Sequence, residues 1–160
     1  MTLSRGEYLA SLPRKRMAAA VLFRDSDGRV LLVEPAYKPE WELPGGAVEA
    51  DESPYAAARR EVREELGLDL APGRLLAVDW VPPAPDRTEG VMFVFDGGVL
   101  GPDVTATLTL PADELLGWAW CTPAEAAQRL APRLARRVAA ASAAAAGADV
   151  PCLEDGHPVG

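Results

Sequence analysis

Glutamates in the first half of the chain have the spacing of a metal site. Glu61, Glu64 and Glu65 stand at i, i+3 and i+4, so a helix would stack their carboxylates on one face. Stacked like charges repel by about 0.2–0.5 kcal/mol per pair, and the helix dipole disfavours acidic groups in the last turns. The cluster is therefore unfavourable unless a cation binds it, and hard divalent cations prefer carboxylate, carbonyl and water ligands.

The helix that would carry these glutamates has recognisable ends. Ser53 can cap free backbone N–H groups, Pro54 suits the position after the cap, and Gly67 is a typical helix stop. At about 100° per residue, one arc of this helix is apolar and is expected to pack on the core. The residues on that arc are Tyr55, Ala58, Val62 and Leu66.

The same stretch also has a plainer interpretation as a solvated helix face. Arg60, Arg63 and Glu64 can exchange ion pairs without any other role, which is the usual meaning of alternating charge. The loop in front of the helix argues against this interpretation. Gly45 and Gly46 end the loop WELPGG, and glycines are used where backbone approaches another group closely.

The spacing of these residues resembles the Nudix box. The segment Gly46–Leu68 has the sequence GAVEADESPYAAARREVREELGL, which departs from that pattern at no motif position. The preceding Leu-Pro-Gly-Gly is also typical of the family. Nine fixed positions in twenty-three residues make this resemblance far more specific than a lone glycine-rich turn.

The resemblance implies the metal site of a phosphoanhydride hydrolase that uses Mg²⁺ or Mn²⁺. Glu64 and Glu65 are implied as the principal metal ligands, and the carbonyl of Gly45 as a further ligand. Glu61 is implied either as another ligand or as the general base, because members of the family differ. A divalent ion suits this reaction because it neutralises phosphate oxygens and acidifies a bound water.

Neighbouring residues are implied to support these ligands. Arg60 is expected to orient a carboxylate, either Glu52 or Glu61, because a guanidinium can fork onto two carboxylate oxygens and hold their rotamer. Glu52 is therefore expected to be structural. Gly46 is expected to serve the same supporting purpose in the loop. The catalytic set implied by the family is thus Arg60 together with the three helix glutamates.

Outside the box, two acidic residues are candidates for one further metal ligand. Glu114 precedes a strand that contains Trp120, and it resembles the family's acidic residue before a tryptophan strand. Glu89 opens a strongly apolar strand and is the competing candidate, for the metal or for the substrate. Aromatic rings can stack on nucleobases and arginine can bind phosphate. The other candidates for substrate binding are Trp41, Tyr37 and Arg24.

Composition describes one globular domain with an acidic surface. The chain has 160 residues, 49 % of them hydrophobic and 25 % charged, with a net charge of −8, and this length suffices for a core. The charge argues against nucleic acid as a partner. A bound cation would reverse the field locally for an anionic substrate. The expected partner is a small nucleoside diphosphate derivative, and a homodimer is left open.

The lack of recognisable targeting signals and the spacing of the two cysteines predict a cytoplasmic protein. No apolar run approaches twenty residues, so no membrane span is expected. A basic patch at residues 14–16 lacks the apolar region of a secretory signal. Cys121 and Cys152 are far apart and have no metal-like pairing, which predicts two reduced thiols.

The order of elements predicts an α/β fold. Strands are expected at residues 17–24, 29–34, 75–81, 90–96 and 116–121, with weaker ones at 41–43 and 108–110. A second long helix is expected from about residue 122 to 146, interrupted near Pro132. This order predicts a mixed β-sheet between helices, and the resemblance implies a Nudix-like α/β/α sandwich. The expected division is an N-terminal arm over residues 1–15, a Nudix hydrolase domain over 16–147 and an irregular tail over 148–160.

Three functions are compatible with the sequence. The first is a Nudix-type pyrophosphohydrolase that cleaves a nucleoside diphosphate linked to another moiety, such as a nucleoside triphosphate, ADP-ribose or a nucleotide sugar. The second is a Nudix-fold module that senses a nucleotide without cleaving it, although such members commonly have a degraded box. The third is an isoprenoid diphosphate isomerase, which calls for a cysteine near the site, whereas Cys121 and Cys152 come late in the chain.

Overall fold

A computed structural model describes residues 3–160 and places an eight-stranded mixed sheet at the centre of the molecule. The strands are β1 (Arg16–Arg24), β2 (Val30–Pro35), β3 (Gly45–Ala47), β4 (Leu75–Val81), β5 (Gly90–Val99), β6 (Leu115–Cys121), β7 (Cys152–Glu154) and β8 (His157–Pro158). The helices are α1 (Arg5–Ser11), α2 (Pro54–Leu66), α3 (Pro102–Thr105), α4 (Pro123–Arg129) and α5 (Pro132–Ala145). The predicted N-terminal arm includes Met1 and Thr2, which lie outside the described residues.

Strand β1 organises the sheet because it has partners along both edges. On one edge it runs parallel to β5 over its whole length. On the other edge it pairs antiparallel with β2 at Arg24 and with β3 at Ala18–Ala20. The full strand order is β6-β2-β1-β5-β4-β7-β8, with β3 beside β1. The segment before α2 is thereby fixed against the centre of the sheet.

Helices cover both faces of the sheet, as predicted for an α/β/α sandwich. Alternate residues of β1 point to opposite faces: Val21 and Phe23 pack with α2, whereas Leu22 packs with α4 and α5. Both faces of the strand are therefore buried, which explains why its sequence is a continuous apolar run rather than an alternating one. The predicted fold class is confirmed.

Helix α2 begins and ends where its sequence predicts. The Ser53 hydroxyl accepts a hydrogen bond from the Ala56 N–H, and Gly67 ends the helix with φ +70°, a left-handed conformation that glycine adopts without strain. Its buried side chains are Ala57, Ala58, Val62 and Leu66. Tyr55, predicted on the buried face, is 42 % exposed. Its hydroxyl donates to the Pro72 carbonyl at 2.6 Å, which holds it at the rim of the core.

The C-terminal segment differs most from the sequence prediction. The tail was expected to be irregular, and this was wrong: β7 pairs parallel with β4, and β8 pairs antiparallel with β7. Leu153 is fully buried, and Asp155 forms ion pairs with Arg133 and Arg136 of α5. Each of these partners is distant in sequence, so local propensity could not indicate the pairing.

Two smaller predictions were wrong and a third is confirmed. The short strand expected at residues 41–43 consists only of isolated bridges, and the strand in this region is β3. No strand forms at residues 108–110; the short helix α3 precedes them instead. The interruption predicted near Pro132 is confirmed: the second helical segment is divided there into α4 and α5, because proline lacks the N–H that a continuing helix needs.

Within residues 3–160, no helix is long and apolar enough to cross a membrane. Cys121 is buried, Cys152 is exposed, and both are free thiols.

We expect Leu153→Ala to lower the free energy of unfolding by about 2–5 kcal/mol, because it leaves a cavity where β7 meets the core. Leu116→Ala is the matched control: Leu116 is 66 % exposed on β6, and its loss should change stability by less than about 0.5 kcal/mol. Urea denaturation of both variants measures the difference. Equal stability of the two variants would contradict a docked C-terminal segment.

Candidate active site

Two adjacent glycines let the loop before α2 contact both the sheet and the helix. Gly45 has φ +151°, and a Cβ there would lie 2.3 Å from the Ala19 carbonyl oxygen. Its N–H donates to Glu65 Oε2 at 2.8 Å. A Cβ on Gly46 would lie 2.4 Å from Glu61 Oε1. A side chain at Gly45 would therefore push β3 away from β1, and a side chain at Gly46 would displace the Glu61 carboxylate.

The guanidinium of Arg60 connects the acidic side chains of this region. It donates to both carboxylate oxygens of Glu52, at 2.9 and 3.0 Å. It also donates to Glu61 Oε1 at 2.8 Å and Glu64 Oε2 at 3.1 Å, and to the Ala47 carbonyl at 3.0 Å. The sequence left Glu52 and Glu61 as alternative partners of Arg60, and the structure gives it both.

The carboxylates differ in how easily they ionise. The Arg60 guanidinium and the Glu49 N–H hold the pKa of Glu52 down to about 2. Burial raises the pKa of Glu61, although Arg60 partly opposes this. Burial also raises the pKa of Glu65 to about 8; the Gly45 N–H opposes the shift, and neighbouring carboxylates, Glu61 first, add to it. Glu52 is therefore a stable anion, whereas burial and neighbouring carboxylates disfavour the charged forms of Glu61 and Glu65.

The donor atoms of the site suit a hard divalent cation. Glu52, Glu61 and Glu64 contact one guanidinium and Glu65 contacts only the Gly45 N–H, which leaves three negative charges unbalanced when all four are ionised. All available ligands are oxygen atoms, the type preferred by Mg²⁺ and Mn²⁺. As the side chains lie, no three Asp, Glu, His or Cys residues of the described chain converge as ligands of one ion. Arg60 draws Glu61 and Glu64 toward itself, so metal binding would require their carboxylates to turn.

The structure separates the two candidates for an additional ligand. The Glu114 carboxylate is close enough to the helix glutamates to raise the pKa of both Glu61 and Glu65. Glu89 instead pairs with Lys15 and accepts a hydrogen bond from Trp80 Nε1 at 2.9 Å. Glu114 therefore lies beside the acidic cluster, and Glu89 is held elsewhere.

A cleft of about 710 Å³ opens beside the acidic cluster. The loop from Glu42 to Glu52 forms one wall, β1 and β5 form the floor, and α5 forms the opposite wall. Side chains that line it include Lys15, Met17, Tyr37, Glu42, Met92, Leu134 and Arg137. Such a volume is typical of small-molecule sites.

Among the substrate-binding candidates, only Tyr37 lines this cleft. Its hydroxyl donates to Glu42 Oε2 at 3.2 Å. Trp41 packs on the core, and the Arg129 guanidinium lies 4.3 Å from its ring centroid, so one ring face is already covered. Arg24 bonds to Asp96 at 3.1 Å at the opposite end of β1, away from the cleft.

Several cleft residues escaped the sequence analysis. Glu42 lines the cleft and adds to the negative field on Glu65, and its place in the loop WELPGG was a usable signal. Arg137 lines the opposite wall and forms an ion pair with the fully buried Asp79. That pair joins residues 58 positions apart, and no sequence pattern indicates it.

Comparisons with known proteins agree with this architecture. The NUDIX domain model matches residues 14–141. A CTP pyrophosphohydrolase of Escherichia coli K12 is 34 % identical over 143 residues, covering 86 % of this chain and 87 % of that protein. A MutT-like protein of Streptomyces ambofaciens is 31 % identical over 134 residues, covering 81 % and 78 % respectively. The crystal structure of a MutT protein from Methanosarcina mazei Go1 superposes with a TM-score of 0.65 at 25 % identity, over 81 % of this chain and 96 % of that one.

The family match spans most of the chain and includes the loop, the acidic helix and the sheet that supports them. The homologue named as a pyrophosphohydrolase aligns over nearly its full length. The chain therefore belongs to the NUDIX domain family, as a Nudix-type pyrophosphohydrolase.

Proposed function

We propose that this protein hydrolyses a phosphoanhydride bond of a small nucleoside diphosphate derivative, with Mg²⁺ or Mn²⁺ as cofactor. One observation carries the proposal: Glu61 and Glu64 share the Arg60 guanidinium with Glu52, which lines the cleft, and Glu65 accepts the N–H of Gly45 in the same cleft wall. A concentration of carboxylates that lacks enough internal cations gains stability when a divalent ion and an anionic substrate bind together.

In this proposal Glu64, Glu65 and the Gly45 carbonyl hold the metal. Glu61 serves as a further ligand or as the general base. When bound, the ion supplies charge neutralisation at phosphate oxygens and a more acidic water. Glu114 supplies an additional carboxylate from the loop before β6.

Arg60 and Gly46 position the reacting groups. The bidentate bond to Glu52 anchors the guanidinium, and its remaining N–H groups restrain Glu61 and Glu64. The absence of a side chain at Gly46 lets the Glu61 carboxylate lie against the loop. Such supporting contacts commonly determine metal affinity as much as the ligands themselves.

The cleft favours a nucleotide over a smaller anion. Its volume of about 710 Å³ exceeds what a phosphate chain alone would fill. The similar E. coli protein is named a CTP pyrophosphohydrolase, which supports nucleoside triphosphates as the first substrates to test, followed by ADP-ribose, nucleotide sugars and dinucleoside polyphosphates. A non-catalytic sensing role is less well supported, because every acidic position of the box is intact.

We expect Glu64→Gln to lower turnover by about 100-fold or more, comparable with the loss of one electrostatic group in other active sites. Glu64 is 51 % exposed, so the substitution should leave the fold intact. Phosphate release with Mg²⁺ measures turnover, and Glu154→Gln, an exposed change on β7, is the control. Turnover near the wild-type value in Glu64→Gln would refute the metal assignment.

We expect Arg60→Lys to reduce activity and apparent metal affinity by about 10–100-fold, because lysine cannot fork onto Glu52 while restraining two further carboxylates. Arg63→Lys is the matched control, an exposed position on the same helix. Activity is measured as a function of Mg²⁺ concentration. Indistinguishable Mg²⁺ curves for the two variants would show that Arg60 does not support the ligands.

We expect Glu65→Gln to separate the effects of metal and fold on thermal stability. In EDTA above pH 8 the variant should melt at or above the wild-type temperature, because burial raises the pKa of Glu65 to about 8 and the substitution removes a buried charge once that carboxyl is ionised. Mg²⁺ at 100 times its dissociation constant should stabilise the wild type by about 2.7 kcal/mol, whereas the variant should gain little. Scanning calorimetry with and without Mg²⁺ gives both values, and an equal gain in the two proteins would exclude Glu65 as a ligand.

A further inference from the structure

Arg137 is held rigidly at the wall of the cleft opposite the loop. Its side chain is only 11 % exposed, and its Nε donates to Asp79 Oδ2 at 2.7 Å. Asp79 is fully buried, and its other oxygen accepts the Gly156 N–H at 3.0 Å. Both oxygens of the carboxylate are therefore in use, and the C-terminal segment fixes the orientation of the guanidinium.

The outer part of this guanidinium is available to a ligand. Arg137 lines the cleft, and within residues 3–160 only its Nε donates a hydrogen bond. Within the described chain, Arg24 Nε is the one side-chain nitrogen or oxygen atom that is both buried from solvent and without a hydrogen-bond partner. The two terminal nitrogens of Arg137 have no partner in the described chain, so they are not buried from solvent. They therefore remain accessible, and they present fork-shaped donors on the cleft wall.

The floor next to Arg137 presents small and apolar side chains to the cleft. Ala18, Met92 and Asp79 occupy one row across β1, β5 and β4, so their side chains share one face of the sheet. Leu134 lies one helical turn before Arg137 and lines the same cleft. A small side chain at Ala18 leaves space for a flat group above the sheet. This surface suits an aromatic ring whose edge meets the guanidinium.

Charge distinguishes a nucleobase from a phosphate at this position. The Arg137–Asp79 pair is neutral as a unit, and a buried partner reduces the attraction of an arginine for a second anion. The outward donors remain able to bond to neutral acceptors such as ring nitrogens and carbonyl oxygens. A guanidinium has no acceptor, so it discriminates against a base that presents a donor at the same edge.

We propose that Arg137 determines base specificity, by donating two hydrogen bonds to a nucleobase that carries two adjacent acceptors. Guanine offers O6 and N7, and cytosine offers O2 and N3. Adenine places an amino donor beside each acceptor on its Watson–Crick and major-groove edges and should bind more weakly. This inference rests on the proposed function for the presence of a nucleotide, and it adds which part of the nucleotide this wall recognises.

Nucleoside monophosphates test the inference without catalysis, because they contain no phosphoanhydride bond. Binding of CMP, GMP, AMP and UMP is measured by NMR titration of the full chain in EDTA. The wild type should bind CMP or GMP at least about 10-fold more tightly than AMP. Arg137→Lys keeps the ion pair with Asp79 but loses the fork, so the preference should fall to about 2-fold or less.

Arg133→Lys is the matched control, because Arg133 lies on the same helix and pairs with Asp155 without lining the cleft. It should retain the wild-type preference. Should Arg137→Lys fail to fold, the double variant Asp79→Asn with Arg137→Gln removes both charges together and is measured in the same way. An unchanged preference in the Arg137 variants, no preference in the wild type, or no binding of any monophosphate overturns the inference. If the wild type shows the base preference but releases no phosphate from nucleotides with Mg²⁺, the result counts against the proposed function alone.

Discussion

Repulsion between carboxylates on one face of α2 is the constraint around which this structure is arranged. Three glutamates in the last turns of a helix are unfavourable by themselves, and one arginine compensates only part of their charge. Arg60 bonds to Glu52, Glu61 and Glu64 at 2.8–3.1 Å, while Glu65 depends on the Gly45 N–H. The remaining negative charge is what makes the site suitable for a divalent ion and, through it, for an anionic substrate.

The sheet converts this local arrangement into a cleft. Because β3 pairs with the alanines of β1, the loop before α2 lies at the centre of the molecule. The Gly45 N–H of this loop donates a hydrogen bond to Glu65. Small side chains in β1 keep the floor open, and α5 closes the far side. The two walls consequently have different chemistry: carboxylates and backbone on one, and a neutral Arg137–Asp79 pair on the other. A substrate with an anionic end and a neutral polar end fits this asymmetry.

The C-terminal segment has a greater role than its composition indicates. Its backbone supplies the Gly156 N–H to Asp79, its Asp155 pairs with α5, and Leu153 completes the core beneath. A stretch rich in proline and glycine can adopt such a structure only because a partner strand, β4, provides the hydrogen bonds that its own sequence does not specify. The ordered end of the chain thereby supports one wall of the cleft.

The sequence by itself determined the features that depend on near neighbours. The ends of α2 follow from Ser53 and Gly67, five of the eight strands follow from apolar runs, and the family follows from the box, because caps, turns and helix faces are set by residues a few positions apart. Only the tertiary structure decided which strand the tail would join, that Glu114 rather than Glu89 lies beside the helix glutamates, that Trp41 packs against Arg129, and that Asp79 holds Arg137. Each of these contacts joins distant segments, whose meeting depends on the packing of the whole sheet rather than on any local pattern.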